Sequence, residues 1–230
     1  MALQKKVAIF DVDGTLFRSS LLIELVEVLI ARDVFPGNAW KRYESKRKQW
    51  IERKGSYEAY IEAVVETFRD HLKGVHYGDF AAIAEEVIAE RGSRLYRYTR
   101  DLVKELKGKG YYLLAVSHSP KTVVEGFCKE LGFNKTYGIV YDLGPGGRFT
   151  GTIADEHLIL NKGSILKRAV EKEHLTLKDS FGIGDTETDI PMLEMVAHPI
   201  AFNPNAKLYR YAKRMEWEIV VERKDVVYKM

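Results

Sequence analysis

Two aspartates set two residues apart, Asp11 and Asp13, close the apolar run Val7-Ala8-Ile9-Phe10 and are followed at once by Gly14, Thr15 and Leu16. An unbroken apolar run of this length is the pattern of a strand covered on both faces in a parallel sheet. Ligands of open α/β sheets bind beyond the carboxyl ends of the strands, so Asp11 stands where a carboxylate can work and is badly placed for packing. Two acids this close repel each other, and a cation of high charge density such as Mg²⁺ is the usual means of holding their oxygens together. Taken alone, the same residues also read as solvated turn aspartates that cap the following helix.

Two further polar clusters stand at the ends of predicted strands, and a lysine stands at a helix start. Tyr111 to Val116 is apolar and runs into Ser117-His118-Ser119-Pro120; Ser180 to Gly184 is a short strand followed by Asp185-Thr186-Glu187-Thr188-Asp189; Asn161-Lys162-Gly163 opens a helix. Together they form a chemical set, because phosphoryl transfer to a carboxylate needs a nucleophile, a divalent cation and donors for the nonbridging oxygens. Asp11 is the expected nucleophile and Asp13 the expected acid and base for leaving group and water. Asp185 would add a second oxygen to the cation, and Asp189 would orient that group. Ser117 can donate to a phosphoryl oxygen, and Lys162 can neutralise phosphoryl and carboxylate charge. Each residue alone has a plainer reading: Ser117 as a helix cap, Lys162 as a solvated helix start, and His118 as packing over the strand end instead of touching a leaving group.

Positioning these groups requires alternating helices and strands. Ser19 or Ser20 can cap a helix through Leu21, Leu22, Leu25, Val28 and Leu29; further helices are predicted over Asn38 to Lys54, from Ser56, and after Gly78-Asp79. No strand is predicted between residues 19 and 92. From Tyr98 onward, helix and strand alternate: a helix Thr99 to Lys109, strands Tyr111 to Val116, Tyr137 to Tyr141, Ser180 to Gly184, His198 to Phe202 and Trp217 to Val221, with helices between. Gly144 to Gly147 lacks the Gly-Lys-Ser/Thr ending of a phosphate loop and reads as a turn before Phe149 to Ile153. The expected architecture is a doubly wound, Rossmann-like parallel sheet with an all-helical insertion after its first strand. Residues 1–18 and 93–230 form the α/β core, and 19–92 form a candidate lid over the strand ends.

Asp-Val-Asp-Gly-Thr-Leu, Val-Ser-His-Ser, Asn-Lys-Gly and Gly-Asp-Thr-Glu-Thr-Asp-Ile-Pro-Met-Leu stand in the order of the four motifs of the haloacid dehalogenase superfamily, which the chain resembles over nearly its whole length. It is most similar to the phosphoserine-phosphatase-like branch, whose members carry a helical cap between the first two motifs. The resemblance implies a Mg²⁺-dependent phosphatase acting through an aspartyl phosphate. Asp11, the Asp13 carbonyl and Asp185 would hold the metal, with Asp189 behind them; Gly14, Thr15, Ser117, His118 and Lys162 would surround the phosphate. Departures bear on the substrate. Ser20 replaces the glutamate that holds the amine of phosphoserine, His118 and Ser119 replace glycines, and Thr188 replaces an asparagine. Phe17, Arg18 and Ser20 are the nearest candidates for reading the leaving group. A phosphotransferase or mutase would use the same aspartyl phosphate. A receiver-type signalling module needs neither a lid nor a second carboxylate two residues after the acceptor.

Composition narrows the setting. At 230 residues and 46% hydrophobic, the chain can bury a full core, and a net charge of +3 is too mild to argue for nucleic acid. Lys41 to Lys54 carries a local excess of cations that could steer an anion or form a solvated helix face. The single cysteine, Cys128, excludes an internal disulfide and is expected in the core. Met1 to Gln4 shows no apolar signal segment and no stretch is long enough to span a membrane, so a cytoplasmic protein acting on a small phosphorylated metabolite is expected.

Overall fold

The computed structural model describes residues 4–154 and 161–230; the expectation about the first residues therefore falls largely outside it, at Met1 to Leu3. The central strand β1 (Lys5–Asp11) is flanked in parallel by β2 (Tyr112–Pro120) and β6 (Leu175–Gly184). The main sheet continues outward through β3 (Lys135–Ile139) on one side and β7 (His198–Phe202), β8 (Glu218–Arg223) and β9 (Val226–Lys229) on the other, in the order β3-β2-β1-β6-β7-β8-β9. Only β9 is antiparallel to its neighbour. This is a doubly wound, Rossmann-like α/β sheet. Val7, Ala8, Ile9 and Phe10 are fully buried, as a strand covered on both faces requires. Register matters for the site: Asp11 pairs with Val116 and Phe10 with Ile183, so Ser117 and Asp185 emerge within two residues of the level of Asp11.

Four helices are inserted after β1: α1 (Leu21–Ala31), α2 (Lys41–Ile51), α3 (Tyr57–Leu72) and α4 (Tyr77–Arg91). Leu21, Leu22, Leu25 and Leu29 of α1 are buried, and Ser56 caps α3 by accepting from the Ala59 amide at 3.1 Å. The fourth helix starts earlier than expected. A ring nitrogen of His76 accepts from the Gly78 amide at 3.1 Å, and histidine is not among the residues that normally announce a helix start. In α2 only Tyr43 is buried and its cations are exposed; Arg42 pairs with Asp70, and Arg53, just past the helix, lies over the Trp50 ring.

The insertion shares one apolar core with the sheet. Ile88 of α4 lies against Gly126 of α6 (Lys121–Leu131), where any Cβ would meet it at 2.5 Å, and Cys128 on the same helix is fully buried as expected. A two-stranded hairpin, β4 (Tyr141–Leu143) and β5 (Phe149–Ile153), leans on α3 and α4. Phe149 meets Phe80 edge-on at 5.1 Å, Tyr141 meets Phe68 at 5.4 Å, and the Phe149 backbone bonds both Gly74 and Val75. The glycine-rich turn between these strands places Gly146 and Gly147 at φ +70° and +67°, consistent with the turn reading.

Among the described residues the remaining α-helices are α5 (Arg97–Gly108), α7 (Lys162–Lys172), α8 (Ile190–Leu193) and α9 (Ala206–Arg214). Three strand boundaries differ from expectation. The predicted strand Tyr137 to Tyr141 divides into β3 and β4; β6 begins at Leu175, in a polar stretch with a register shift against β1; and β9 was not foreseen, being short and exposed. Among the described residues no helix is long and apolar enough to cross a membrane.

Candidate active site

Asp11 ends β1 and is almost wholly buried, so its carboxylate needs a partner. Lys162 supplies one. Asn161 caps α7 by accepting from the Ser164 amide at 3.0 Å, and Gly163 lets the helix start press against the Pro191 carbonyl, which a Cβ would meet at 2.8 Å. The lysine thus placed donates to Asp11 Oδ1 at 2.5 Å and to Asp189 Oδ1 at 2.6 Å. Burial opposes the ammonium, but the carboxylates of Asp11 and Asp189 outweigh it and hold Lys162 above the ordinary lysine range.

The other Asp11 oxygen, Oδ2, is buried without a hydrogen-bond partner. Oxygens of Asp11, Asp185 and Asp189 lie within 4.8 Å of one another, close enough to share a cation. Their commitments differ. Asp189 Oδ1 takes the lysine, while Oδ2 accepts from the amides of Asp185 and Thr186 at 2.9 Å each. Asp189 therefore shapes the loop, which leaves Asp11 Oδ2 and the Asp185 carboxylate, engaged only through Oδ1 by Thr15, to face a metal. Burial pushes the Asp11 carboxyl up to about 7, against the lowering pull of Lys162, and burial with the Asp11 and Asp189 charges pushes Asp185 well above its usual range. Uncompensated buried acids of this kind fit a small divalent cation. Gly14 completes the cradle: at φ +83°, with Asp185 Oδ2 only 2.2 Å from where a Cβ would stand, its position admits no side chain. Thr15 donates to Asp185 Oδ1 at 3.3 Å, and its carbonyl is held by the Thr99 hydroxyl at 2.8 Å.

Asp13 has a different environment. Its Oδ2 accepts from the hydroxyls of Ser117 at 2.5 Å and Ser119 at 2.9 Å, and its Oδ1 accepts from the Leu21 amide at 2.6 Å. Asp13, not Ser20, therefore provides the side-chain acceptor at the start of α1; Ser20 occupies the capping position without a side-chain bond. Ser117 and Ser119, two residues apart on β2, thus both reach Asp13. In this arrangement the Ser117 proton is directed to Asp13.

Two largely buried tyrosines lie within electrostatic reach of these acids. Burial, followed by the carboxylates of Asp13 and Asp185, pushes the Tyr57 hydroxyl above the ordinary tyrosine range; Tyr96 is raised likewise by burial and Asp185. Arg18 is exposed and lies over the Tyr96 ring at 5.8 Å. Phe17 is not at the mouth: it is fully buried edge-on against Phe127, correcting its expected part in reading the leaving group.

The haloacid dehalogenase-like hydrolase family matches residues 8–194, which spans β1, the inserted helices and the loop carrying Asp185 and Asp189. The chain belongs to this family. It is 26% identical over 216 residues to the phosphoserine phosphatase SerB1 of Mycobacterium tuberculosis, covering 92% of this chain and 69% of that one. It is 25% identical over 240 residues to a histidinol-phosphatase of Neisseria meningitidis, covering 94% and 98%. A solved phospho-aspartyl intermediate analogue of phosphoserine phosphatase shares its fold, with a TM-score of 0.64 and 24% identity over 97% of this chain and 96% of that one.

In this haloacid dehalogenase-like hydrolase, Asp11, Lys162, Asp185 and Asp189 converge, with Gly14 and Thr15 bordering Asp185. Ser117 joins Asp13, and the half-buried His118 lies beside it in sequence on β2. Two site residues had no role in the sequence reading. Ser119 was legible from the Ser-x-Ser alternation at a strand end. Tyr57, at the start of the helix predicted from Ser56, carries no sequence signal of its own, because its nearness to the acids depends on how the insertion folds back.

Proposed function

We propose that this hydrolase is a Mg²⁺-dependent phosphatase of small phosphate monoesters in which Asp11 is the nucleophile. The observation that carries this reading is the Asp11 carboxylate itself: Oδ1 held by Lys162, Oδ2 buried and unpartnered beside Asp185. Asp11, the Asp13 carbonyl and Asp185 would hold the metal. When bound, Mg²⁺ offsets the charge of the phosphoryl group and of the acids around it.

Asp11 attacks phosphorus, forming an aspartyl phosphate as the ester P–O bond breaks, and Asp13 gives its proton to the departing alcohol oxygen. Asp13, now a carboxylate, takes a proton from water as that water attacks phosphorus. Asp11 is released with inorganic phosphate. Lys162 orients Asp11 and favours its ionised form before attack. Gly14, Thr15 and Ser117 border the phosphoryl group, and release of Ser117 from Asp13 would free its proton for a phosphoryl oxygen.

Residues 19–92 act as a cap over this core of 1–18 and 93–230, and the substrate is a small phosphorylated metabolite, consistent with a cytoplasmic setting. Both relatives above are named for phosphatases of small esters. Phosphoserine is disfavoured as substrate: Ser20 stands where an amine-holding carboxylate would be needed. Glu24, one turn on, is already engaged by Arg91 and by Arg94 at 3.2 Å.

A panel of small phosphate esters, assayed with Mg²⁺ and with excess chelator, tests the proposal alongside acid-quench trapping of phosphoenzyme. Metal-dependent release of phosphate with label on Asp11 is expected. Undiminished hydrolysis in chelator would remove the metal from the mechanism, and transfer to an added alcohol in preference to water would make the enzyme a phosphotransferase.

A further inference from the structure

The start of α9 touches both sides of the site. Its cap, Asn205, accepts from the Leu208 amide at 2.9 Å, donates its own amide to the Asp185 carbonyl at 2.8 Å, and donates its side-chain amide to Glu187. Two residues on, Lys207 Nζ lies 2.6 Å from Glu187 Oε1 and 3.3 Å from Glu58 Oε1. Glu187 belongs to the loop between Asp185 and Asp189, whereas Glu58 sits in the first turn of α3, next to Tyr57. We propose that Lys207 is a positioning residue, which holds the first turn of α3, and with it Tyr57, against the loop between Asp185 and Asp189 by pairing at once with Glu58 and Glu187.

Isolated exposed ion pairs contribute little, because solvent screens them and two long side chains must be ordered. The geometry here adds a second effect. Glu58 and Glu187 converge on a single nitrogen, so removing its charge leaves two carboxylates facing each other across the seam between insertion and sheet. Attraction then becomes repulsion, and the element that responds is the end of α3 carrying Tyr57. The Glu187 side of the junction is fixed by Asn205, so the α3 side moves. This inference concerns the placement of Tyr57; only its kinetic consequence rests on the phosphatase reading.

Charge reversal and its repair provide the test. Lys207→Glu places three acids together, and adding Glu58→Lys restores one cation between two carboxylates. Hydrogen exchange of the full-length protein without metal or ester should show the first two turns of α3 exchanging about threefold to tenfold faster in Lys207→Glu, with α5 and α7 unchanged. The double variant should return to within about twofold of the parent, and roughly 0.5 M salt should move the parent toward Lys207→Glu. In hydrolysis, KM should rise by a similar factor with kcat nearly constant, again repaired by the double variant. Lys207→Met, which cannot add a repelling charge, should fall between parent and reversal. Unchanged α3 exchange in Lys207→Glu would overturn the proposal. So would a double variant with the parent's unfolding midpoint that exchanges like the single reversal. A parent protein without phosphatase activity would refute the functional reading while leaving the exchange result to stand.

Discussion

Asp11 and Asp13 differ by two positions and almost entirely in surroundings. One is held by an ammonium with its second oxygen unpartnered; the other accepts three hydrogen bonds from neutral donors. Asp11→Asn should lower kcat by more than about 10³ and remove trapped phosphoenzyme. Asp13→Asn should leave KM within about threefold and slow both displacements by roughly 10²–10⁴. Rapid-quench kinetics separate the two outcomes, and equal mild losses would contradict the roles. Gly14 permits a second prediction, because its positive φ and its contact with Asp185 act together. Gly14→Ala should raise the Mg²⁺ concentration for half-maximal activity by at least about tenfold, since a Cβ must displace Asp185. Metal titration of the two proteins checks this, and an unchanged midpoint would exclude Gly14 from the cradle.

Elements whose sequence and environment agree were legible before the fold was known. Val7 to Phe10 is apolar because both faces of β1 are covered; Asn161 caps its helix, and Ser56 caps another. The acids at strand ends were legible for the same reason, since a carboxylate closing an apolar strand has no packing role. What was missed depends on neighbours distant in sequence. The polar start of β6 is a strand because β1 pairs with Lys5 and Lys6 opposite Leu175 and Thr176, and α1 takes its capping acceptor from Asp13, eight residues away from Leu21. Phe17 follows the same rule: its neighbours place it near the mouth, but its ring is drawn into the core by Phe127. The β4–β5 hairpin shows how far such contacts reach. Phe149 is buried among Phe80, Tyr77 and Tyr141, so Phe149→Ala should destabilise the protein by about 3–5 kcal/mol. A urea titration measures this, and a loss under about 1 kcal/mol would mean that the hairpin only rests on the insertion.

Across the whole molecule, insertion and sheet share one apolar core, and Cys128 reports on it. Burial, with the Asp13 and Asp11 charges, holds its thiol well above the usual cysteine range. The folded thiol therefore stays protonated where an unfolded one ionises near about 8.5, so its contribution to stability is fully present below that pH and is lost progressively as pH rises from there toward the raised folded value. Alkylation of the native protein should accordingly stay slow from pH 7 to 9 and accelerate only across the urea transition. Rapid native labelling at pH 9 would show instead that α6 opens locally. The hairpin also has a mechanical consequence. Gly74 and Val75, just past the carboxyl end of α3, are pinned to Phe149, while Tyr57 begins that 16-residue helix. At 1.5 Å per residue this makes α3 a lever of about 24 Å, so turning it by about 10° at the pin carries the Tyr57 end by about 4 Å. That travel exceeds the reach of a hydrogen bond, so a slight angular change at the hairpin is enough to part Glu58 from Lys207.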